Sequence, residues 1–254
     1  MGRRLSRHLR IGFITLWCMC LPLYAAHADD SEIDDAAARM QYAFYTRDTR
    51  SLQEILRRLG AMETAHTPGM KEYYEAYGNW KLSQLYAEAQ AMGKGESRGS
   101  SDKAAQECAR KARAAVSADP RMAEAHAIEA ICSSAAAFLI GGNCSRSKSM
   151  RNALEMEPQN PRIRLIEYLC AEKDSTIAGL QRLRTVVSTF DTAAPARPGK
   201  PDWGQAEALV LLGQAFLTQG DAVAARDALE KALVLAPDYR KAQELLQSAA
   251  VRPK

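Results

Sequence analysis

The sequence has few aromatic residues and almost no runs of β-branched residues. Phenylalanine, tryptophan and tyrosine make up 7% of the 254 residues, and Val186-Val187 is the only adjacent pair of valines. Strands are enriched in both kinds of residue, whereas alanine, which is abundant here, is the best helix former. The composition therefore argues against a β-sheet protein and favours closely packed helices.

The sequence also lacks the common motifs of catalytic and metal sites. It contains no P-loop and no C-x-x-C. Glu124 and Glu129 flank His126 on a predicted helix, as an acid–base pair would require. A single histidine on an alanine-rich helix is nevertheless favoured as a packing residue. We predict no catalytic residue, no metal and no cofactor, and hence a protein that is not an enzyme.

The first 28 residues have the three parts of a secretory signal. Four arginines and no acidic residue occupy positions 1–10, an apolar run covers residues 11–24, and Ala26-His27-Ala28 follows. The run is shorter than the about 20 residues that a membrane-spanning helix needs. We predict cleavage near Ala28 and a periplasmic or secreted mature chain without a stable membrane span. An uncleaved anchor is the alternative, and general and twin-arginine export are not distinguished.

Removal of this segment changes the charge balance. The whole chain has 34 basic and 30 acidic residues, and four of the basic residues lie in residues 1–28. The mature chain would therefore carry 30 of each. Without a basic excess there is no electrostatic basis for nucleic-acid binding, and we predict none.

Apolar residues recur at helical spacing along the mature chain, and turn-forming residues separate the segments. The predicted helices cover about residues 31–45, 49–65, 70–92, 102–117, 122–140, 145–157, 162–173, 175–190, 203–219, 221–235 and 238–250. We divide the chain into the signal peptide (1–28), N-terminal helical hairpins (29–101), further hairpins (102–190), a proline-rich linker (191–202) and a last hairpin with a closing helix (203–254).

The last hairpin has a regular pattern of small and apolar residues, formed by Leu209, Leu212, Gly213, Phe216, Gly220, Ala225, Leu229, Ala232 and Pro237. It resembles one tetratricopeptide (TPR) unit, W-x-x-L-G-x-x-Y, then A-x-x-x-F, then P, with leucine at the tryptophan and phenylalanine positions. Asp119-Pro120 and Glu157-Pro158 repeat the ending of such a unit. The resemblance implies an all-α, right-handed superhelical stack of about five antiparallel hairpins and a capping helix. An irregular helical bundle is the alternative.

Four cysteines follow the expected signal peptide: Cys108, Cys132, Cys144 and Cys170. An even number in an exported chain suggests disulfides. The hairpins that the TPR resemblance implies would place Cys108 level with Cys132 and Cys144 near Cys170, so we predict these two pairs. Four buried free thiols are the alternative, since cysteine packs well in helical cores.

Two sets of residues are candidates for partner binding. The first is an aromatic helix with Tyr73, Tyr74, Tyr77, Trp80 and Tyr86. Such rings dominate interface hot spots, although core packing is the favoured interpretation. The resemblance implies a second set, facing the groove of the stack, with Glu207, Val210, Gln214 and Leu217. A solvated helix face is favoured for Glu207 and Gln214.

These features predict a non-enzymatic scaffold that holds a protein or peptide of unknown identity in the groove of a TPR-like solenoid in the bacterial periplasm. A periplasmic carrier of a small ligand is the alternative, with an aromatic-lined pocket around residues 73–86. An enclosed cavity beside Trp80 would favour the carrier, and an open groove would favour the scaffold.

Overall fold

The computed structural model describes residues 28–62, 67–93, 98–136, 144–171, 177–194 and 200–251. These residues form eleven α-helices and no strand, which confirms the all-α prediction. The helices are α1 (Ala28–Tyr45), α2 (Thr49–Ala61), α3 (Met70–Ala91), α4 (Arg98–Ala118), α5 (Ala123–Ala136), α6 (Lys148–Met156), α7 (Pro161–Cys170), α8 (Ile177–Thr192), α9 (Gln205–Thr218), α10 (Ala222–Leu235) and α11 (Arg240–Val251). Residues 1–27 of the expected signal peptide and residues 195–199 of the expected linker lie outside the described residues.

Local side-chain caps explain where several helices begin. A side chain accepts a hydrogen bond from a first-turn N–H at the start of α2, α6, α7 and α10, where the caps are Asp48, Ser147, Asn160 and Asp221. Such caps satisfy backbone donors that have no partner within the helix. The fourth helix begins at Arg98, four residues before its predicted start, so its first turn lies outside the predicted helix.

The helices pack mainly against their neighbours along the chain. The most extensive contact joins α3 to α4, followed by α4 with α5 and α9 with α10. Contacts also join α1 to α3, α3 to α5, α5 to α7 and α9 to α11. Over these parts of the chain, each odd-numbered helix is therefore in contact with the odd-numbered helix that follows it. Close approach is possible because the seams are rich in fully buried alanines, among them Ala112, Ala115, Ala125 and Ala127.

Two pairs of cysteines join neighbouring elements. The Cα atoms of Cys108 on α4 and Cys132 on α5 lie 5.6 Å apart, and those of Cys144 and Cys170 lie 4.9 Å apart. Both separations are typical of disulfides, and both pairs are the predicted ones. The first links α4 to α5, and the second links the short 3₁₀ turn before α6 to the end of α7.

The two ends of the described chain also meet. Gln41 Nε2 on α1 donates a hydrogen bond of 2.9 Å to Asp202 Oδ1, just before α9. The ring of Tyr45, the last residue of α1, lies 4.4 Å from that of Tyr239, the residue before α11. Contacts between residues almost 200 positions apart thus bring the first and last helices together. Proximity along the chain does not predict this arrangement.

Candidate functional site: a cleft between alternate helices

A cleft of about 560 Å³ lies where α1, α3, α7, α9 and α11 approach one another. All five helices are odd-numbered. The apolar part of the wall consists mainly of aromatic and leucine side chains, which include Phe44, Trp80, Leu165, Leu169, Leu211 and Tyr239. Binding sites for small molecules and peptide side chains typically have about 300–1,000 Å³ and mostly apolar walls with a few polar groups. The cleft has both properties.

The polar groups at the deepest part of the cleft are Lys81 and Glu207. Only 2% of Lys81 and 6% of Glu207 are exposed, and Lys81 Nζ lies 3.3 Å from Glu207 Oε1. This separation makes an ion pair without a hydrogen bond, since Oε1 has no hydrogen-bond partner in the described parts of the chain. The ammonium also lies 4.1 Å from the centroid of the Trp80 ring and 4.5 Å from that of Phe44. Aromatic faces attract such a cation.

Burial affects the pKa of Lys81. Loss of hydration lowers the pKa of Lys81, and the neighbouring Glu207 carboxylate partly opposes that change. Glu207 Oε2 is held from two sides, by the hydroxyl of Tyr45 at 3.0 Å and the N–H of Gly204 at 3.1 Å. Burial and the same carboxylate raise the pKa of the Tyr45 hydroxyl, which therefore stays a donor. One carboxylate thus connects α1, α3 and the start of α9.

Arg47 forms a bridge at the rim of the cleft. Its Nε donates to Glu88 Oε2 on α3 at 3.2 Å, and its Nη2 donates to Glu244 Oε2 on α11 at 2.8 Å. The hydrogen bond to Glu244 raises the pKa of Arg47 above its ordinary value. The backbone of Arg47 has φ of 57°, an unusual value for a residue with a side chain. This bridge ties the connection after α1 to both α3 and the closing helix.

The structure places the aromatic helix, α3, inside the protein. Tyr73, Tyr74, Tyr77, Trp80 and Tyr86 are at most 7% exposed, and of these only Trp80 lines the cleft. Tyr77 lies against Trp203, with ring centroids 5.0 Å apart. The other four rings are therefore not available to a partner in this arrangement. Core packing, the favoured interpretation, agrees with this placement.

A second buried network lies on the far side of these rings. Tyr73 donates from its hydroxyl to Glu124 Oε2 at 2.8 Å and accepts a hydrogen bond from Trp203 Nε1 at 2.8 Å. Glu124 Oε1 accepts from Arg162 Nε and from Asn160 Nδ2, each at 2.8 Å. These bonds connect α3, α5, the start of α7 and the segment before α9. Every partner belongs to this chain, so the network explains the burial of Glu124.

The groove residues that the sequence indicated on α9 separate into two groups. Glu207 and Val210 are buried and line the cleft, whereas Gln214 is exposed and Leu217 is half-buried. The interpretation of Glu207 as a solvated residue is wrong, because its carboxylate caps α9 and pairs with Lys81. Gln214 and Leu217 do not line the cleft.

The residues of the TPR-like pattern lie between α9 and α10. A Cβ atom on Gly213 would lie only 2.6 Å from Leu229 Cγ, so glycine permits the close approach of these helices. Leu209, Leu212, Phe216, Ala225, Leu229 and Ala232 are buried around this contact. Gly220 has φ of 81° in the turn after α9, and Pro237 follows the end of α10.

His126 is in contact with backbone rather than with an acid. Its Nε2 lies 3.0 Å from the carbonyl oxygen of Pro120, and Glu129 accepts a hydrogen bond from Ser149 at 2.9 Å. Among the described residues, no group of three or more histidine, cysteine or acidic side chains is placed to hold a metal ion. None of the described helices combines the length and apolar character needed to cross a membrane.

Comparison with known proteins gives no match to a family model and none to a curated protein sequence. The TPR resemblance therefore stays a prediction.

Sequence reasoning identified Glu207 but none of the other charged residues of the cleft: Arg47, Lys81, Glu88 and Lys241. One signal was available for Lys81, which stands in the largely apolar run WKLSQLY of α3. A lysine on the buried face of a helix needs a partner. The partner, Glu207, is 126 positions away along the chain, and nothing local indicates it.

Proposed function

We propose that this chain is an exported TPR-like solenoid of about five hairpins and a capping helix, which binds an extended peptide segment of a partner protein in the cleft. The observation that carries the proposal is the composition of the cleft wall: every wall residue that belongs to a helix lies on an odd-numbered one. In a stack of hairpins, the first helix of each hairpin faces the inner surface. The contacts of α1 with α3, α3 with α5 and α5 with α7 support the same arrangement.

The occupant follows from the shape and lining of the cleft. Leu169 stands at its mouth with 36% of its surface exposed, and half-buried Gln84 and Lys241 lie beside it. Apolar pockets with polar rims accept side chains while the rim bonds the peptide backbone. The partner segment would place apolar side chains against Leu165, Leu169 and Leu211. Binding rather than catalysis is proposed, because His126 and Glu124 are engaged in bonds within the fold.

The compartment rests on two features. The sequence of residues 1–28 has the parts of a secretory signal, and paired cysteines persist in oxidising compartments. We propose export to the bacterial periplasm with cleavage after Ala28. N-terminal sequencing of the chain recovered from the periplasm tests this, and an intact Met1 would contradict it.

Selection from a random peptide display library tests the binding proposal. Leu169→Asp places a charge at the mouth of the cleft, and we expect it to weaken the selected peptides by about tenfold or more, because burying an unpaired charge is costly. Leu235→Asp is the matched control: Leu235 is 50% exposed at the end of α10 and does not line the cleft. Both variants are compared with the wild type by thermal unfolding. Peptides that bind equally to all three proteins, or no selected peptides at all, would contradict the proposal.

A small-ligand carrier is the second candidate. It is favoured by the volume of the cleft, by Trp80 in its wall and by the buried ion pair at its deepest point. If Leu169→Asp weakens the binding of the selected peptides, the scaffold is favoured. Small molecules that co-purify with the wild type but not with Leu169→Asp would decide for the carrier.

A further inference from the structure

The deepest part of the cleft contains two buried charged groups whose hydrogen-bonding capacity is incompletely used. Glu207 Oε1 accepts no hydrogen bond from any residue that the structure describes. Among the described residues, that same atom is the one carboxylate oxygen within ion-pair distance of the Lys81 ammonium, at 3.3 Å, and the rings of Phe44, Tyr77, Trp80 and Trp203 lie around the ammonium. An ammonium has three N–H donors. Buried polar groups are rarely left in this condition unless a ligand or water completes them.

The charges of this pair restrict what could complete it. A carboxylate ligand would meet the negative charge of Glu207, and an ammonium ligand would meet the positive charge of Lys81. In a site shielded from water, such like-charge contacts are expensive. An uncharged group that both accepts and donates fits both atoms, because its acceptor faces Lys81 and its donor faces Glu207 Oε1. A carboxamide has this combination in one planar group.

The walls of the cleft define the rest of the ligand. Leu165, Leu169, Val210 and Leu211 line it together with Phe44 and Tyr239, and its volume is about 560 Å³. An apolar chain would replace water against these side chains and gain hydrophobic free energy. A ligand whose polar head group contacts the ion pair would therefore place its apolar chain against these wall side chains.

We propose that the deepest part of the cleft is a binding subsite for an uncharged donor–acceptor head group, a carboxamide, carried on an apolar chain. The inference rests on the proposed function only in requiring that the cleft admit a ligand. The head group can come from a small amphiphile or from a glutamine side chain of a bound peptide, and both present the same chemistry to Lys81 and Glu207.

Three ligands with the same octyl-length chain test the head group. Octanamide, octanoate and octylammonium are titrated at pH 7 into the mature chain, with calorimetry and tryptophan fluorescence as readouts. Trp80 and Trp203 both lie beside Lys81, so their emission reports on this site. We expect octanamide to bind at least about tenfold more tightly than either charged ligand, the ratio expected from the loss of one buried polar contact. Equal affinities, or no binding, would overturn the proposal.

Substitution of Glu207 gives a sharper test, because it should reverse the preference. Glu207→Gln removes the negative charge and keeps an acceptor for Tyr45 and Gly204, so Lys81 becomes the only charge of the pair. We expect octanoate to become the preferred ligand of this variant. Glu88→Gln is the matched control: Glu88 also lines the cleft but pairs with Arg47 at the rim, and octanamide should stay preferred. An unchanged order in Glu207→Gln would refute the assignment.

The double variant Lys81→Met/Glu207→Gln covers the case in which the single variant does not fold. It removes both buried charges, and octanamide should then bind at least about tenfold more weakly than it binds the wild type, because Lys81 no longer donates to it. Unchanged affinity for octanamide would overturn the proposal. Failure in this series combined with peptides sensitive to Leu169→Asp would reject the subsite alone, and the proposed function would stand.

A peptide arm identifies the source of the head group. A short leucine-rich peptide with one central glutamine is compared with the same peptide carrying glutamate. Tighter binding of the glutamine peptide, lost in the double variant, supports the subsite and assigns the source to a peptide. If the protein distinguishes the octyl ligands but not the two peptides, the result supports the subsite and assigns the source to a small amphiphile.

Discussion

Tyr73 and Tyr77 lie one turn apart on α3, and both rings are fully buried. Their hydroxyl groups differ in one respect. The hydroxyl of Tyr73 bonds to both Glu124 and Trp203, whereas that of Tyr77 has no hydrogen-bond partner among the described residues. Burying a hydroxyl group without a hydrogen-bond partner costs free energy, which the burial of the apolar ring has to offset. The same chemical group therefore stabilises the fold at one position and opposes it at the other.

Replacement of each tyrosine by phenylalanine should separate these effects. Tyr73→Phe leaves Glu124 Oε2 and Trp203 Nε1 without their shared partner, and we expect it to lower the free energy of unfolding by about 1–3 kcal/mol. Tyr77→Phe should be neutral or slightly stabilising, because it removes an unpaired hydroxyl. Urea unfolding followed by circular dichroism measures both. Equal losses for the two variants would show that the hydroxyl of Tyr77 has a partner after all.

At the scale of single residues, prediction from the sequence had a mixed result. Core packing was the favoured interpretation of the aromatic side chains of α3, and these side chains are buried. The burial of Glu207 was not predicted, because it depends on Lys81 and Tyr45, which are far away in the chain. A glutamate on an isolated helix is expected to face water. Only the packing of α9 against α1 and α3 reverses that expectation.

At the scale of helices, the close approach of α9 and α10 depends on Gly213. A Cβ atom there would lie 2.6 Å from Leu229 Cγ and 3.3 Å from the carbonyl oxygen of Ala225. Leu229 is fully buried. Its side chain therefore has little free space into which it could move away from a Cβ atom at position 213. Glycine is thus required by its lack of volume and not by its backbone conformation.

Gly213→Ala should consequently destabilise the protein, although alanine is the better helix former. We expect a loss of about 1–3 kcal/mol from overpacking, measured as a lower midpoint of urea unfolding. Gln214→Ala, at the next and exposed position of the same helix, serves as the control and should change stability little. A more stable Gly213→Ala variant would mean that the helices can separate at no cost.

The helix boundaries were largely predictable, because helices begin and end at local signals. Asp48, Asn160 and Asp221 cap helices close to the predicted starts, and Pro158 and Pro237 follow helix ends. The start of α4 was missed because the helix continues back through a serine- and glycine-rich segment, to Arg98. There, packing of α4 along α3 outweighs the low helix propensity of the segment.

At the scale of the whole molecule, the main feature is the contact between its two ends. Arg47 joins Glu88 to Glu244, and Lys81 joins α3 to Glu207 on α9. A repeat pattern describes only how each hairpin meets the next. The sequence therefore predicted a row of helices. The meeting of the connection after α1 with α11 depends on residues 197 positions apart, and that of α3 with α9 on residues 126 positions apart.

Arg47→Met should loosen the closing helix without unfolding the rest. The substitution removes the bridge from the connection after α1 to α11, and we expect hydrogen exchange in residues 240–251 to become about tenfold faster, the effect of losing about 1.4 kcal/mol of local stability. Arg57→Met is the control, since Arg57 pairs with Glu54 on the exposed face of α2, where such pairs contribute little. Unchanged exchange in α11 of the Arg47 variant would contradict the role of the bridge.

The position of Trp203 has a consequence for the newly made chain. Its ring lies against Tyr77 and Trp80, and its indole N–H bonds to Tyr73. A ribosome adds residues from the N-terminus, so all three rings of α3 emerge more than a hundred residues before the side chain that covers them. Until Trp203 has been synthesised, the surface of these α3 rings that it covers in the folded protein stays accessible to other molecules. Nascent chains of this kind are prone to aggregate, and a truncation before residue 203 would keep that surface exposed for good.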